Sequence, residues 1–275
     1  MCIPWQNIWG WKLVNRIDCL FAKLKAEDKK ALITFITAGD PTVEVTEKLV
    51  LEMERQGADL IELGIPFSDP MAEGPVIQAA NLRALEHDIG LDVVFGLVAR
   101  LREKTQIPIV YLMYYNSVLN YGLDRFFKTC RDAGVDGVII PDLPFEEGDE
   151  VAPYTQRYGV HQISMVAPTS SARLEKICGS AKGFLYCVST LGVTGMRDSL
   201  SPHLEAFFRD VGRHCAIPKC IGFGISSPRQ ASQVKGLCDG VIVGSAIVNR
   251  VGQAPDDDAK VQAVGEFTKA LRDAI

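Results

Sequence analysis

Eight short apolar runs alternate along the sequence with amphipathic segments whose apolar residues recur at helical spacing. The runs are ALITFIT (31–37), DLIEL (59–63), IPIVYLMY (107–114), DGVIIP (136–141), VHQISMV (160–166), GFLYCVS (183–189), IPKCIGF (217–223) and DGVIVG (239–244). Most are almost continuously apolar, which is typical of parallel strands that are buried on both faces. Eight strand–helix units within 275 residues predict an α/β protein with a single (β/α)8 TIM barrel.

A doubly wound open sheet is the alternative architecture. It is disfavoured because no G-x-G-x-x-G motif follows the first run. The segment RIDCLFAKLKAE, ahead of the first run, predicts an extra N-terminal helix with Ile17, Leu20, Phe21 and Leu24 on one face.

The two ends of the chain differ in composition. We expect residues 15–275 to form the barrel as one catalytic domain, because no linker or low-complexity stretch interrupts them. Residues 1–14 contain all three tryptophans and form an aromatic extension, which either packs on the barrel or contacts another chain.

The composition is that of an ordinary globular protein, with 23% charged residues and a net charge of −5. It gives no basic surface for nucleic acid, and no apolar run reaches the roughly 20 residues of a membrane span. The N-terminus lacks the features of a signal peptide, and the eight cysteines contain no C-x-x-C pair. These observations predict a cytoplasmic protein with reduced thiols, and no nucleic-acid or membrane partner.

Three carboxylates follow one another at the end of the second run, in the stretch ELGIPFSDPMAEGP. Active sites of parallel barrels lie at the C-terminal ends of the strands, so Glu62 falls in the catalytic layer. No Lys or Arg lies nearby in sequence to pair with it. We expect Glu62 to carry protons, the structural alternative being a carboxylate paired with a buried Arg or with backbone amides.

The last two runs are each followed by a glycine-containing loop, GFGIS (222–226) and GSAIV (244–248). Loops after strands seven and eight are the usual phosphate site of this fold, and a helix that starts near Ser245 would offer free N–H groups. Neither loop contains Lys or Arg, so backbone amides and the Ser245 hydroxyl would hold the anion. The loop STLGVTGMRDSL is a candidate lid, in which Gly195 could add another amide.

The stretches ITFITAGDP, IELGIPFSDPMAEGPVIQAANLRAL, LMYYN, GVDGVIIPDLPFEE, GVTG, GFGIS and GSAIV together resemble the tryptophan synthase α subunit family, from about residue 15 to the C-terminus. The resemblance implies a lyase of tryptophan biosynthesis that cleaves indole-3-glycerol phosphate to indole and glyceraldehyde 3-phosphate. It implies no metal and no organic cofactor. It also implies a pyridoxal-phosphate-dependent β subunit as partner, in an allosteric α2β2 heterotetramer.

The resemblance also assigns roles to individual residues. Glu62 matches the catalytic glutamate, and Glu73 stands where the family usually has a catalytic aspartate. The remaining matches are Phe35, Leu112 and Phe223 around the indole ring, Tyr186 near it, Thr194 on the lid against the loop that holds Asp69, and Gly195, Gly224, Gly244 and Ser245 at the phosphate.

Glu73 departs from the family by one methylene group, and three interpretations remain open. The loop accommodates the longer side chain, or the chain is a weak catalyst that acts mainly as an activator of its β subunit. The third is a stand-alone indole-3-glycerol phosphate lyase. The four histidines do not cluster, and we assign them no catalytic role.

Overall fold

Parallel strands follow one another around a single sheet in the computed structural model, which describes residues 14–188, 202–222 and 224–275. The strands are β1 (Ala31–Thr37), β2 (Leu60–Gly64), β3 (Ile109–Leu112), β4 (Gly137–Ile139), β5 (His161–Gln162), β6 (Ser164–Val166), β7 (Leu185–Val188), β8 (Lys219–Gly222) and β9 (Gly240–Val243). Their order in the sheet is β5-β4-β3-β2-β1-β9-β8-β7-β6. Because β1 pairs with both β2 and β9, the first and last strands join and the sheet is a nearly closed barrel.

The predicted fifth strand is divided in two. Its first half, β5, pairs with β4, and its second half, β6, pairs with β7, with only Ile163 between the halves. Strands of a barrel are tilted and staggered, so one run offers different stretches to its two neighbours. The TIM-barrel prediction is therefore confirmed, with nine hydrogen-bonded segments in place of eight.

Most of the helices pack on the outside of the barrel, and the first one covers its N-terminal end. They are α1 (Arg16–Ala26), α2 (Val43–Arg55), α3 (Pro75–Leu85), α4 (Leu91–Arg102), α5 (Tyr115–Tyr121), α6 (Leu123–Ala133), α7 (Ala152–Tyr158), α8 (Leu174–Ser180), α9 (Pro202–His214), α10 (Pro228–Val234), α11 (Ser245–Gln253) and α12 (Asp257–Ala274), with 3-10 turns at Phe145–Glu150 and Pro168–Arg173. Side-chain oxygens of Thr42, Ser227 and Asp256 accept N–H bonds at the starts of α2, α10 and α12. Gly134 ends α6 with a left-handed backbone (φ 89°).

The first helix closes the N-terminal end of the barrel. Ile17, Phe21 and Leu24 of α1 belong to the same buried cluster as inward-facing strand residues such as Ile33 and Leu60. The predicted extra N-terminal helix is thus present. The division at residues 14 and 15 stays a prediction, because residues 1–13 lie outside the described part of the chain.

A buried charge network fixes α1 in that position. The Asp136 carboxylate, fully buried before β4, accepts hydrogen bonds from Arg16 Nη1, Arg102 Nη2 and the Ile109 amide, each at 2.9 Å. Asn15 donates to the Asp136 carbonyl at 2.7 Å and also caps α1. Removing Asp136 would leave Arg16 and Arg102 largely buried without their shared counter-charge.

Within the described residues, none of the helices combines the length and the apolar character that crossing a bilayer requires.

Asp136→Asn should lower the free energy of unfolding by about 3–5 kcal/mol, because two guanidinium groups lose their buried counter-charge. Urea denaturation measures the change. Glu146→Gln is the control, since Glu146 pairs with Arg173 at the surface, where both side chains are about half exposed. It should leave the free energy of unfolding nearly unchanged, because surface ion pairs contribute little. Equal effects of the two substitutions would show that the Asp136 network does not hold α1 in place.

Candidate active site

The carboxyl end of β2 places an acid inside the barrel. Residues alternate between the inside and the outside of a barrel strand, and Leu60, two residues earlier, packs in the interior cluster. Glu62 therefore faces inward, and the parallel register puts it beside Phe35 of β1 and Val110 of β3. Only 2% of its surface is exposed.

The surroundings of Glu62 favour its neutral form. Burial, with a smaller contribution from the neighbouring Glu73 charge, raises the pKa of the Glu62 carboxyl to about 8. No group within the described residues hydrogen-bonds its Oε2 atom. Among the described residues, neither a buried Arg nor a backbone amide contributes to the pKa of this carboxyl, which argues against the structural alternative. A carboxyl with such a pKa can exchange protons near neutral pH.

Glu73 brings a second carboxyl to the same place from the loop between β2 and α3. Partial burial raises its pKa to about 7, while a hydrogen bond from Asn81 opposes the rise. Asn81 Nδ2 donates to Glu73 Oε2 at 2.7 Å. Two carboxyls from different elements thus lie close together with pKa values well above the ordinary range.

An apolar wall lies next to these carboxyls. Phe35 packs with Ala80 of α3, Val248 of α11 and Leu112 of β3 in one small cluster. Glycines in the barrel wall make space for the aromatic rings: a Cβ atom on Gly64 would lie 2.6 Å from the Phe35 ring. A flat aromatic substrate group can occupy such an apolar surface.

Tyr186 lines the opposite side of the barrel interior on β7. A Cβ atom on Gly222 would lie 2.5 Å from the Tyr186 ring. Burial, with a contribution from Glu62, raises the pKa of the Tyr186 hydroxyl well above its ordinary value, so the side chain stays neutral. The structure therefore brings Phe35, Leu112, Tyr186 and Glu62 into one interior surface.

The start of α11 supplies backbone donors at the same mouth. Gly244 precedes the helix with no side-chain cap, and the Gly244 carbonyl accepts from the amides of Ile247 and Val248. The preceding amides of Ser245 and Ala246 are the ones that a helix leaves for an anion. Gly224 has a left-handed backbone (φ 85°), and Ser245 is exposed.

Gly244 also connects this end to the apolar wall, since a Cβ atom there would lie 3.3 Å from Phe35. The anion-binding amides and the carboxyl Glu62 therefore flank the same aromatic residue. A substrate with an aromatic group and a phosphate could span the two.

Three of the sequence-predicted residues, Thr194, Gly195 and Phe223, lie outside the described residues. Asp69 is exposed in the loop after β2. Its proposed contact with Thr194 stays a prediction.

Two residues near the carboxyls received no role from the sequence. Asn81 contacts Glu73, and the Tyr114 hydroxyl accepts from the Ala72 amide at 2.9 Å. Only the position of Tyr114 at a strand end was a signal; Asn81 lies within a helix, and its contacts depend on the path of the preceding loop. Among the described residues, His, Cys, Asp and Glu form no group of three that could bind a metal ion.

Comparisons with known proteins agree on one family. The family model described as "Tryptophan synthase alpha chain" matches residues 21–275. The tryptophan synthase alpha chain of Caldanaerobacter subterraneus subsp. tengcongensis is 50% identical over 262 residues, which are 95% of this chain and 100% of the relative.

Solved structures give the same result. Tryptophan synthase subunit alpha from Legionella pneumophila superposes with a TM-score of 0.88 at 42% identity, covering 95% of this chain and 98% of that one. A chain of the tryptophan synthase a2b2 complex from Pyrococcus furiosus superposes with a TM-score of 0.82 at 33% identity, covering 88% and 97%.

Gly244→Val should weaken the binding of glycerol 3-phosphate at least tenfold, because the side chain would occupy the space in which an anion meets the α11 amides. Calorimetric titration measures the affinity. Gly90→Val is the control, since Gly90 precedes α4 at another helix start and has open space around its Cβ position. Unchanged affinity in a folded Gly244→Val protein would place the phosphate elsewhere.

Proposed function

Since the chain belongs to the tryptophan synthase alpha chain family, we propose that its cleavage of indole-3-glycerol phosphate runs through Glu62 and Glu73. The chain is a carbon–carbon lyase of tryptophan biosynthesis. The observation that carries the assignment of residues is the buried Glu62 carboxyl at the end of β2, whose Oε2 has no hydrogen-bond partner among the described residues.

Glu62 acts first as an acid and then as a base. Its protonated carboxyl donates a proton to C3 of the indole ring, which converts the ring to an indoleninium-like leaving group. The resulting carboxylate accepts the proton of the glycerol hydroxyl. The bond between C3 and the glycerol chain then breaks, its electron pair restores the aromatic ring, and an aldehyde forms. The Glu62 carboxyl is protonated at the end of the reaction, as it was at the beginning. A pKa of about 8 keeps it mainly protonated at neutral pH, as the first step requires.

Glu73 stabilises the positive charge that develops on the ring. When C3 is protonated, the ring N–H becomes electron-poor and needs a hydrogen-bond acceptor. Asn81 occupies Glu73 Oε2, and the described residues contribute no hydrogen bond to Oε1, which leaves that atom to accept the ring N–H. The longer Glu side chain requires a loop that holds its carboxylate at the right depth.

The apolar wall and the helix start bind the two ends of the substrate. Phe35 and Leu112 contact the indole ring, with Tyr186 and Phe223 beside it. The amides near Gly224, Gly244 and Gly195, together with the Ser245 hydroxyl, hold the phosphate. The support for this is the shared position of Phe35 between Glu62 and Gly244.

The partner is a pyridoxal-phosphate-dependent β subunit that docks over the barrel mouth in an α2β2 complex. The Pyrococcus furiosus relative is part of an a2b2 complex with mutual activation. In this chain, the loop that holds Asp69 and Glu73 opens at the same mouth, where Met71 is 84% exposed. Docking there would favour the closed loop. The cytoplasm is the proposed location, in keeping with seven free cysteines among the described residues.

Glu62→Gln should reduce turnover by about 10²–10⁴-fold and leave glycerol 3-phosphate binding nearly unchanged, because the amide cannot donate and then accept a proton. Indole release by the isolated chain measures the rate. Glu103→Gln, an exposed substitution at the end of α4, is the control and should retain full activity. If Glu62→Gln retained more than about a tenth of the activity, the proton-carrier role would be wrong.

Saturation with a cognate β subunit should raise turnover at least tenfold, which requires about 1.4 kcal/mol of preferential binding to a rare closed state. The measurement is indole release during titration of the β subunit. If the isolated chain already had its maximal turnover, and titration of the β subunit left it unchanged, activation by a β subunit would be contradicted. A stand-alone lyase would then be favoured. No lyase activity with or without the β subunit, together with activation of the β reaction, would favour the activator interpretation.

A further inference from the structure

We propose that Asn81 is a positioning residue for the lyase reaction, whose side-chain amide fixes the Glu73 carboxylate and the loop that carries it. The inference rests on the proposed role of Glu73 as acceptor of the ring N–H. Asn81 itself touches neither the substrate nor the breaking bond, and it acts through Glu73.

The Asn81 side chain bridges the two ends of the β2–α3 loop. Nδ2 donates to Glu73 Oε2 at 2.7 Å, near the end of the loop. Oδ1 accepts from the Phe67 amide at 3.2 Å, near its beginning. Nδ2 also donates to the Ile77 carbonyl at 3.1 Å, within α3. Asn81 itself is only 3% exposed, so its side of each of these part-buried bonds is shielded from solvent.

The elements around Asn81 restrain the same loop. The Tyr114 hydroxyl accepts from the Ala72 amide at 2.9 Å, and its ring stacks on Phe67 with centroids 4.9 Å apart. Two hydrogen bonds of 2.7 Å join Arg83 of α3 to Asp40 after β1. Helix α3, which carries Asn81, is thus held against the barrel, and the hydrogen bonds of Asn81 hold the β2–α3 loop against α3.

A neutral amide is suited to this position. It satisfies one carboxylate oxygen of Glu73 without neutralising the negative charge, as a Lys or Arg would. It also restrains a side chain that has one more rotatable bond than aspartate. Replacing Glu73 by Asp would draw the carboxylate back by about one bond length, and a displacement of roughly 1 Å can lower a rate about a hundredfold.

The Asn81 bond also affects protonation. Burial raises the pKa of the Glu73 carboxyl to about 7, and the Asn81 hydrogen bond acts in the lowering direction. Within the part of the chain that the structure describes, the titratable groups that face Glu73 from neighbouring elements are Glu62 of β2 and Tyr114, which follows β3. Loss of the Asn81 donor should therefore raise the pKa of Glu73 further, so that the acceptor form requires a higher pH.

The experiment compares Asn81→Leu, which removes every polar contact, with Asn81→Asp, which retains an acceptor for the Phe67 amide and loses the donor to Glu73. Gln78→Ala is the matched control, because Gln78 of α3 donates to the Glu73 backbone carbonyl at 2.8 Å and not to its carboxylate. Readouts are kcat, KM and their pH profiles, with glycerol 3-phosphate affinity and melting temperature measured alongside.

Both Asn81 variants should lose at least tenfold in kcat, and the acid limb of their kcat profile should move to higher pH. Their glycerol 3-phosphate affinity should stay within about threefold of the parent, since the phosphate site lies at α11. Gln78→Ala should match the parent. Glu73→Asp should also be slower than the parent, because the shorter side chain cannot retain both the Asn81 bond and its reach.

If Asn81→Asp had the kcat of the parent and the same acid limb, the inference would be overturned. The contact with the Phe67 amide would then be sufficient for activity without the hydrogen bond to the Glu73 carboxylate. A Glu73→Asp variant that runs faster than the parent would also overturn the inference. Should Asn81→Leu fail to fold, Asn81→Asp still decides. Glu73→Gln distinguishes failure of the positioning role from failure of the proposed function. Full activity of Glu73→Gln would show that Glu73 itself has no role in the reaction. A slow Glu73→Gln variant, together with Asn81 variants as fast as the parent, would refute only the positioning role of Asn81.

Discussion

The carboxyl of Glu62 sits inside a barrel whose interior is mainly apolar, and no cation within the described residues balances it. Ionising such a group is unfavourable because the surroundings have a low dielectric constant, so its pKa rises to about 8. The carboxyl is therefore mainly neutral at pH 7, and it can protonate a carbon atom and take a proton back from a hydroxyl. Glu73, the apolar wall and the α11 amides are placed around that one group.

The two ends of the barrel differ in whether their buried carboxyl groups have cationic partners. At the closed end, Asp136 is neutralised by Arg16 and Arg102, and the network locks α1 over the opening. At the open end, Glu62 and Glu73 approach each other, and the neutral Asn81 is the hydrogen-bond partner that the described residues give to the Glu73 carboxylate. Compensated charge stabilises the fold, whereas uncompensated charge supplies proton transfer. This matches the division of barrel enzymes into a stability face and an active face.

The strands, the extra helix and the position of Glu62 could be predicted from the sequence, because apolar periodicity and the ends of strands are local properties. The division of the fifth strand could not be predicted, because it depends on the stagger of the closed barrel. The Asp136 network and the Asn81 bridge could not be predicted either. Arg16 and Asp136 are 120 positions apart, and the Asn81 contacts depend on a loop path that no periodicity describes. The roles of Thr194, Gly195 and Phe223 come from family resemblance and stay predictions.

The protonation state of Glu62 itself decides whether this carboxyl can start the reaction as an acid. The 13C chemical shift of its side-chain carboxyl, assigned by its loss in Glu62→Gln, can be followed between pH 4 and pH 10 in the isolated chain. We expect a titration midpoint near pH 8 and a neutral carboxyl as the main form at pH 7. A midpoint near the ordinary glutamate value of about 4.3 would contradict it, because Glu62 would then carry a charge throughout and could not begin the reaction as an acid.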